Sequence, residues 1–214
     1  MLFVVIAVDH PERGAARLRL LDVSIDVIRT QGLSATTVDD LCAAAGVSKG
    51  AFFHHFASKD ALAVAAAHHW TETTGGMFAA AEYHRLHTGA ERVMGYLDLR
   101  AQLVAGPTAA FTCLVGTMVQ EAYCTNEPLR EACAVSILGH AATLEADIAE
   151  ALAAAGSPPG VTAAGLARHT QVVLQGAFVV AKAADDAAVV LDAIEHLRRY
   201  FEVLFATQTE ASPA

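Results

Sequence analysis

Between Thr36 and Lys59 the chain sets helix starts and stops so closely that little freedom is left in how it folds there. Thr36 carries an N-cap side chain, and Asp39 three residues on completes the capping pattern. Val38, Leu41, Cys42 and Ala45 then share one face of a short helix. Gly46 turns the chain, and Ser48 caps the next helix with Val47 as a staple before it. Phe52 and Phe56, four apart, form the apolar side of that second helix, while Lys49, Gly50, Phe53 and His54 fall on the other. Ser58 opens a third helix. Two short helices across a glycine turn have the geometry of a helix-turn-helix, in which one helix positions and the next enters the major groove.

The rest of the chain also reads as helix. Hydrophobic residues make up 54% of 214 positions, with only 6 prolines, and no alternating run is long enough for a sheet, so the expectation is an all-α fold of about nine helices. A first helix is expected from about Glu12 to Gln31, on the spacing of Leu18, Leu21, Ile25 and Ile28, stopped by Gly32. The helix capped by Ser58 is expected to run towards Glu82. Further helices are expected over Gly89–Leu103, broken by Gly106 and Pro107, and over Cys113–Tyr123. Asn126, Glu127 and Pro128 open a long one ending near Gly156. Beyond the linker Gly156–Gly160, two final helices cover about Thr162–Ala183 and Ala187–Ala206. This divides the chain into a helix-turn-helix domain, 1–66, with an apolar extension over 1–10, and a larger helical domain, 67–214.

Charge follows the same division. The formal net charge is −9, yet residues 1–70 hold six Lys and Arg against seven Asp and Glu, so most of the acid lies beyond them. A hold on DNA would then rest on a few placed cations and helix N-termini, not on a general basic field. Lys49 reaches for a phosphate or a guanine edge, Gly50 lets backbone approach the duplex, Phe53 offers a thymine-methyl contact, and His54 donates or accepts. Thr36, Thr37, Ser48 and Lys59, at helix N-termini, are the expected phosphate-positioning residues. His55 reads as a packing residue.

Residues from about Arg13 to Ala65 resemble the TetR family of bacterial transcriptional regulators. The motif runs through Thr36, Thr37 and Val38, then Ala44, Ala45, Gly46, Val47, Ser48, Lys49, Gly50, Ala51, Phe52, Phe53, His54, His55 and Phe56, then Ser58, Lys59 and Leu62. The resemblance implies a homodimer, a ligand domain, and a dimer interface on the last two helices. The chain departs from the family where tyrosine is common: Phe53 has no hydroxyl, which leaves apolar contact as its role.

On the last two helices, Leu166, Val173, Ala177 and Ala181, then Ile194, Leu197 and Phe201, are the expected dimer interface. Twofold symmetry then implies a palindromic double-stranded operator. Candidate walls of a ligand pocket are Trp70, Met77, Phe78, Met94, Leu97, Phe111, Met118, His140 and Phe178, with Gln171, Gln175, Glu121 and Tyr123 as polar groups. Such a pocket suits a small hydrophobic or amphipathic effector that releases a repressor from DNA.

A second reading is metal or thiol-redox sensing. His84 and His87 have i, i+3 spacing, and Cys113, Cys124 and Cys133 are candidate thiols, but adjacent histidines such as His54–His55 and His68–His69 diverge on a helix and no thiol has a basic neighbour. No CxxC, phosphate loop, HExxH or serine elbow is present, so neither a cofactor nor catalysis is expected. The apolar start, Leu2 to Val8, lacks a basic flank and is too short to span a bilayer, which points to a cytoplasmic protein.

Overall fold

A computed structural model describes residues 11–206, and the apolar extension over 1–10 lies outside them. The described residues are all-α, without strands. The helices are α1 (Pro11–Gln31), α2 (Val38–Ala45), α3 (Lys49–His55), α4 (Lys59–Ala79), α5 (Gly89–Gln102), α6 (Thr108–Phe111), α7 (Leu114–Ala122), α8 (Glu127–Ala142), α9 (Glu145–Ala154), α10 (Ala163–Ala184) and α11 (Ala188–Phe205). A 3-10 turn, Glu82–Arg85, follows α4, so α4 stops short of the expected Glu82. Two features account for the excess over nine: α6 is a single turn, and the stretch from Glu127 to Ala154 is bent into α8 and α9. At the bend the Thr143 hydroxyl donates to the His140 carbonyl at 2.7 Å, and the Leu144 amide to Ala141 at 3.0 Å. This stretch has the length and composition to cross a membrane, but Leu129, Cys133, Leu144 and Ile148 on it are core residues of the bundle.

Local chemistry sets the helix starts. Ser48 accepts from the Ala51 amide and Ser58 from the Ala61 amide, each at 3.1 Å. The cap of α2 is Thr37, one residue later than the sequence suggested, in a full capping box with Asp40. Thr36 is instead 1% exposed, and its hydroxyl donates to the Gly32 carbonyl at 2.6 Å. Gly46, at φ 63°, closes α2 in the left-handed conformation that favours glycine.

The apolar stripe of α1 is also rotated from expectation: Leu18 is exposed, while Leu20, Leu21, Ser24 and Ile28 are buried. Leu20, Leu21 and Ile28, with Leu41, Cys42, Ala45, Phe52, Phe56 and Leu62, form a first core, which continues into Leu114, Val115 and Met118 of α7 and Leu129 and Cys133 of α8. A second core joins the end of α4 to α5, α9, α10 and α11. Residue 66, the expected domain boundary, lies inside α4, and that helix contributes to both cores.

Candidate nucleic-acid interface and cavity

The outer face of α3 is built as its spacing implies. Phe52 and Phe56 are buried. Gly50, Phe53 and His54 are exposed, with Phe53 at 55%, supported edge-on by Phe52 at 5.2 Å. A Cβ added to Gly50 would meet only the Ser48 Oγ at 3.7 Å, so the protein's own packing does not require glycine there. His54 and His55 are in edge contact at 5.0 Å. Lys49 is paired: its Nζ lies 2.7 Å from the Asp39 carboxylate at the start of α2. That hydrogen bond, then the charge of Asp39, raises the Lys49 pKa. Both partners are exposed, so water screens the pair and it can be exchanged for a phosphate.

Two expected phosphate contacts are placed otherwise. Thr36 is buried, as described. Lys59 is turned inward: its Nζ donates to the carbonyls of Leu33 and Thr36, each at 2.8 Å, and of Ser34 at 3.4 Å. Those three carbonyls lie in the loop between α1 and α2, whose backbone the ammonium gathers around one charge. Thr37 and Ser48 remain exposed, though their hydroxyls serve as caps.

Glu121 grips the same loop from the opposite side. Its carboxylate accepts from the Leu33 amide at 3.0 Å and the Ser34 amide at 2.6 Å. Burial raises its pKa, but hydrogen bonds from Ser34 and Leu33, with the charge of Lys59, outweigh that and hold it below the usual glutamate range. Gly32, at φ 86°, is needed here: a Cβ would stand 2.8 Å from the Glu121 Oε1. Glu121 is thus a loop clamp rather than a pocket residue.

A cavity of about 500 Å³ opens between the ends of α1, α4, α5 and the α6–α7 segment on one side and α8 and α10 on the other. Trp70, Met77, Phe78, Phe111, His140, Gln171, Gln175 and Phe178, expected as pocket residues, all line it. Met94, Leu97, Met118, Glu121 and Tyr123 do not. Leu97 and Met118 are fully enclosed in the two cores, Met94 packs on the second core, and Tyr123 is exposed.

The sequence reading missed the polar wall: Arg29, Arg100, Thr71, Thr74, Thr112 and Ser136. Arg29, 9% exposed, comes from α1 and donates through Nε to the Thr112 carbonyl at 2.7 Å, with its guanidinium 5.1 Å from the Trp70 ring centre. Arg100 lies over Phe78 at 4.4 Å and donates to the Tyr96 hydroxyl at 2.7 Å and to the His140 Nε2 at 2.8 Å. Burial, then the charge of Arg100, pushes His140 down to about 3, so its imidazole stays neutral and its Nε2 stays an acceptor. The Thr112 hydroxyl, in a residue 1% exposed, has no partner among the described residues. No amphipathic signal could have marked Arg29, which lies on a helix that reads as part of the DNA-reading half.

The expected dimer residues are consumed inside the chain. Leu166, Ala177, Ala181, Ile194, Leu197 and Phe201 are buried in the second core, and Val173 packs against it. The strongest stripes of α10 and α11 face each other and α5 and α9. Their outer faces keep Val172, Val179 and Val180 on α10, and Tyr200 and Val203 on α11, exposed.

Among the described residues no group of three His, Cys, Asp or Glu side chains could hold a metal ion. Burial raises the thiols of Cys42 and Cys133, the latter to about 12, so neither is a thiolate near neutral pH.

Comparison with known proteins places this architecture. Residues 20–66 match the family model of bacterial regulatory proteins of the tetR family. Residues 90–196, half of the chain, match the C-terminal domain of LmrA/YxaF-like transcriptional regulators. The chain is 39% identical over 54 residues to the HTH-type transcriptional repressor KstR2 of Rhodococcus jostii, covering 25% of this chain and 26% of that one. It is 38% identical over 52 residues to the HTH-type transcriptional regulator YerO of Bacillus subtilis, covering 24% and 18%. The matched stretch therefore spans about a quarter or less of these relatives. Among solved structures, a TetR-family regulator from Agrobacterium tumefaciens superposes with a TM-score of 0.77 at 17% identity, over 88% of this chain and 98% of that one. One from Chloroflexus aurantiacus gives 0.75 at 24% identity, over 90% and 97%.

Proposed function

The chain belongs to the TetR family of bacterial transcriptional regulators, and from that premise we propose that it is a cytoplasmic, ligand-responsive repressor that binds a palindromic operator as a homodimer and is released by a small, largely apolar effector. The observation that carries this reading is the reach of one cavity into both halves of the molecule. Its wall includes Arg29 of α1, the helix whose end leads through residues 33–36 to α2 and α3. A molecule seated there touches the element that carries the recognition helix.

On DNA, Gly50, Phe53 and His54 face the base edges, and Lys49 exchanges Asp39 for a phosphate. Exposed Thr37 and Ser48, at the N-termini of α2 and α3, turn backbone amides towards the duplex. The second copy is taken on the outer faces of α10 and α11, where Val172, Val179, Val180, Tyr200 and Val203 would leave water. The two α3 helices would then enter major grooves about one turn apart, roughly 34 Å. An effector releases DNA only to the extent that it binds the DNA-incompetent state more tightly.

The test is fluorescence anisotropy with duplexes from the DNA flanking the gene, at low salt. Saturable binding to one palindrome, two chains per duplex, supports the reading. Binding no tighter than to a scrambled duplex would refute it.

A further inference from the structure

We propose that the cavity takes a hydrophobic organic acid, its carboxylate seated on the Arg29 guanidinium and the Thr112 hydroxyl. This rests on the reading of the cavity as the effector site and adds the charge class of the occupant.

Among the described residues the cavity wall contains two guanidinium groups, Arg29 and Arg100, and no carboxylate. Arg100 has no carboxylate within 4.0 Å among the described residues; its partners are a phenol, a neutral imidazole and two aromatic faces. Arg29 spends Nε on the Thr112 carbonyl, and neither terminal nitrogen donates a hydrogen bond to a described residue. The carboxylate nearest to it is that of Asp26, 4.0 Å away and 84% exposed, where water screens it. Burial accordingly pushes Arg29 below the ordinary arginine value, and Asp26 and Cys113 offset only part of this.

A buried charge without a partner is costly, and a ligand that displaces its water without replacing it adds to the cost. A neutral hydrophobe filling this cavity strips water from Arg29 and returns nothing. A cation adds repulsion. An anion supplies the missing partner in a site of low dielectric, where a charge-assisted bond is strongest.

Thr112 points to the seat and to the head group. Thr112 is on the cavity wall, and its hydroxyl is enclosed and without a hydrogen-bond partner among the described residues, a rare condition for a buried polar atom. The same residue's carbonyl is the one that Arg29 holds, which ties it to the guanidinium. The terminal N–H groups of one arginine and one O–H match the two oxygens of a carboxylate. The remaining wall, with Trp70, Phe78, Phe111 and Phe178, accepts the apolar body.

The test is isothermal titration calorimetry of the full chain with decanoate, decan-1-ol and decyltrimethylammonium. Decanoate should bind at least tenfold more tightly than the alcohol, which corresponds to the low end of a charge-assisted hydrogen bond, and the ammonium should bind most weakly. Arg29→Met should abolish the preference of acid over alcohol, and Thr112→Val should reduce it a few-fold with alcohol affinity unchanged. Thr112→Val removes only a hydroxyl that bonds no described residue, so it carries the test should Arg29→Met fail to fold. Equal binding of acid and alcohol to the wild type overturns the anion and leaves the cavity reading standing. Binding of neither removes the cavity reading and the proposal with it. A preference that survives Arg29→Met, or disappears only in Arg100→Met, overturns the seat.

Discussion

Replacing Glu121 with alanine removes the clamp that α7 places on the loop between α1 and α2. Two amides lose a charged acceptor, Leu33 at 3.0 Å and Ser34 at 2.6 Å. A hydrogen bond to a charged group is worth about 1.5–3 kcal/mol when its partner is left dry. Ser34 is exposed and regains water, whereas Leu33 is buried; Glu121 itself is exposed, so the expected loss is one bond weakened by solvent screening, about 1–2 kcal/mol. Glu121→Gln keeps one carbonyl acceptor and should cost less, about 1 kcal/mol. The pH dependence has a definite sign. The folded carboxyl titrates below its unfolded value of about 4.3, so its contribution is fully present above that pH. It is lost as pH falls through the folded value. Urea unfolding of wild type and both variants between pH 3 and 7 measures this. The wild-type advantage should be constant above about pH 5 and shrink below it. An advantage under about 0.5 kcal/mol at pH 7, or one that does not shrink in acid, refutes the clamp.

Four further outcomes are expected. Lys59→Met should lose about 1–3 kcal/mol in urea unfolding, because three carbonyls lose their donor; the salt dependence of operator binding should not change, whereas a lost phosphate contact would lower its slope by about 1. Gly50→Ala should leave stability equal or up to about 1 kcal/mol higher, since the added Cβ meets only Ser48 Oγ at 3.7 Å, yet it should weaken operator binding in anisotropy at least several-fold; unchanged affinity would show that backbone does not approach the duplex there. Asp39→Asn should leave the urea midpoint nearly unchanged, because water already screens the pair, and should tighten operator binding in anisotropy, by freeing Lys49. Val180→Glu should convert a dimer to a monomer in sedimentation without unfolding it, whereas Phe201→Ala should cost about 3–5 kcal/mol of folding stability, because Phe201 is fully enclosed within one chain.

The sequence disclosed what local chemistry decides. Caps, a left-handed glycine and i, i+4 aromatic pairs act over a few residues, so α2, α3 and the start of α4 were legible. The cap of α2 shifted because Thr36 and Thr37 each have an acid three residues on, Asp39 and Asp40. What settles the choice is partly remote: Lys59, 23 residues on, holds the Thr36 carbonyl, while the Thr36 hydroxyl turns back to the Gly32 carbonyl. The bend after α8 carries neither proline nor glycine and so gave no signal. The dimer residues failed for a different reason. A helix with one strong and one weak apolar stripe does not say which partner takes which, and here α5 and α9 take the strong one. Arg29 and Thr112 are 83 residues apart, and nothing in their surroundings along the chain announces that they meet.

The two ends of α7 explain how occupancy of the cavity can reach the recognition helix. Just before α7, the Thr112 carbonyl receives Arg29 from the last turns of α1. Near its other end, Glu121 holds the amides that follow α1. The C-terminal part of α1 and α7 are therefore tied at two points, and Val115 and Met118 between them pack in the same core as Leu20, Leu21 and Ile28. On the ligand-responsive reading, such a pair would shift together, because packed interfaces change between discrete arrangements and do not stretch. On the organic-acid proposal, the ligand presses on this pair at Arg29 and Thr112, while Lys59 and Glu121 fix the loop that feeds α2. Glu121→Gln then loosens one tie without touching the cavity. It should leave decanoate affinity unchanged in calorimetry while reducing the loss of operator affinity that decanoate causes, since coupling between two sites is a free energy carried by the contacts that join them.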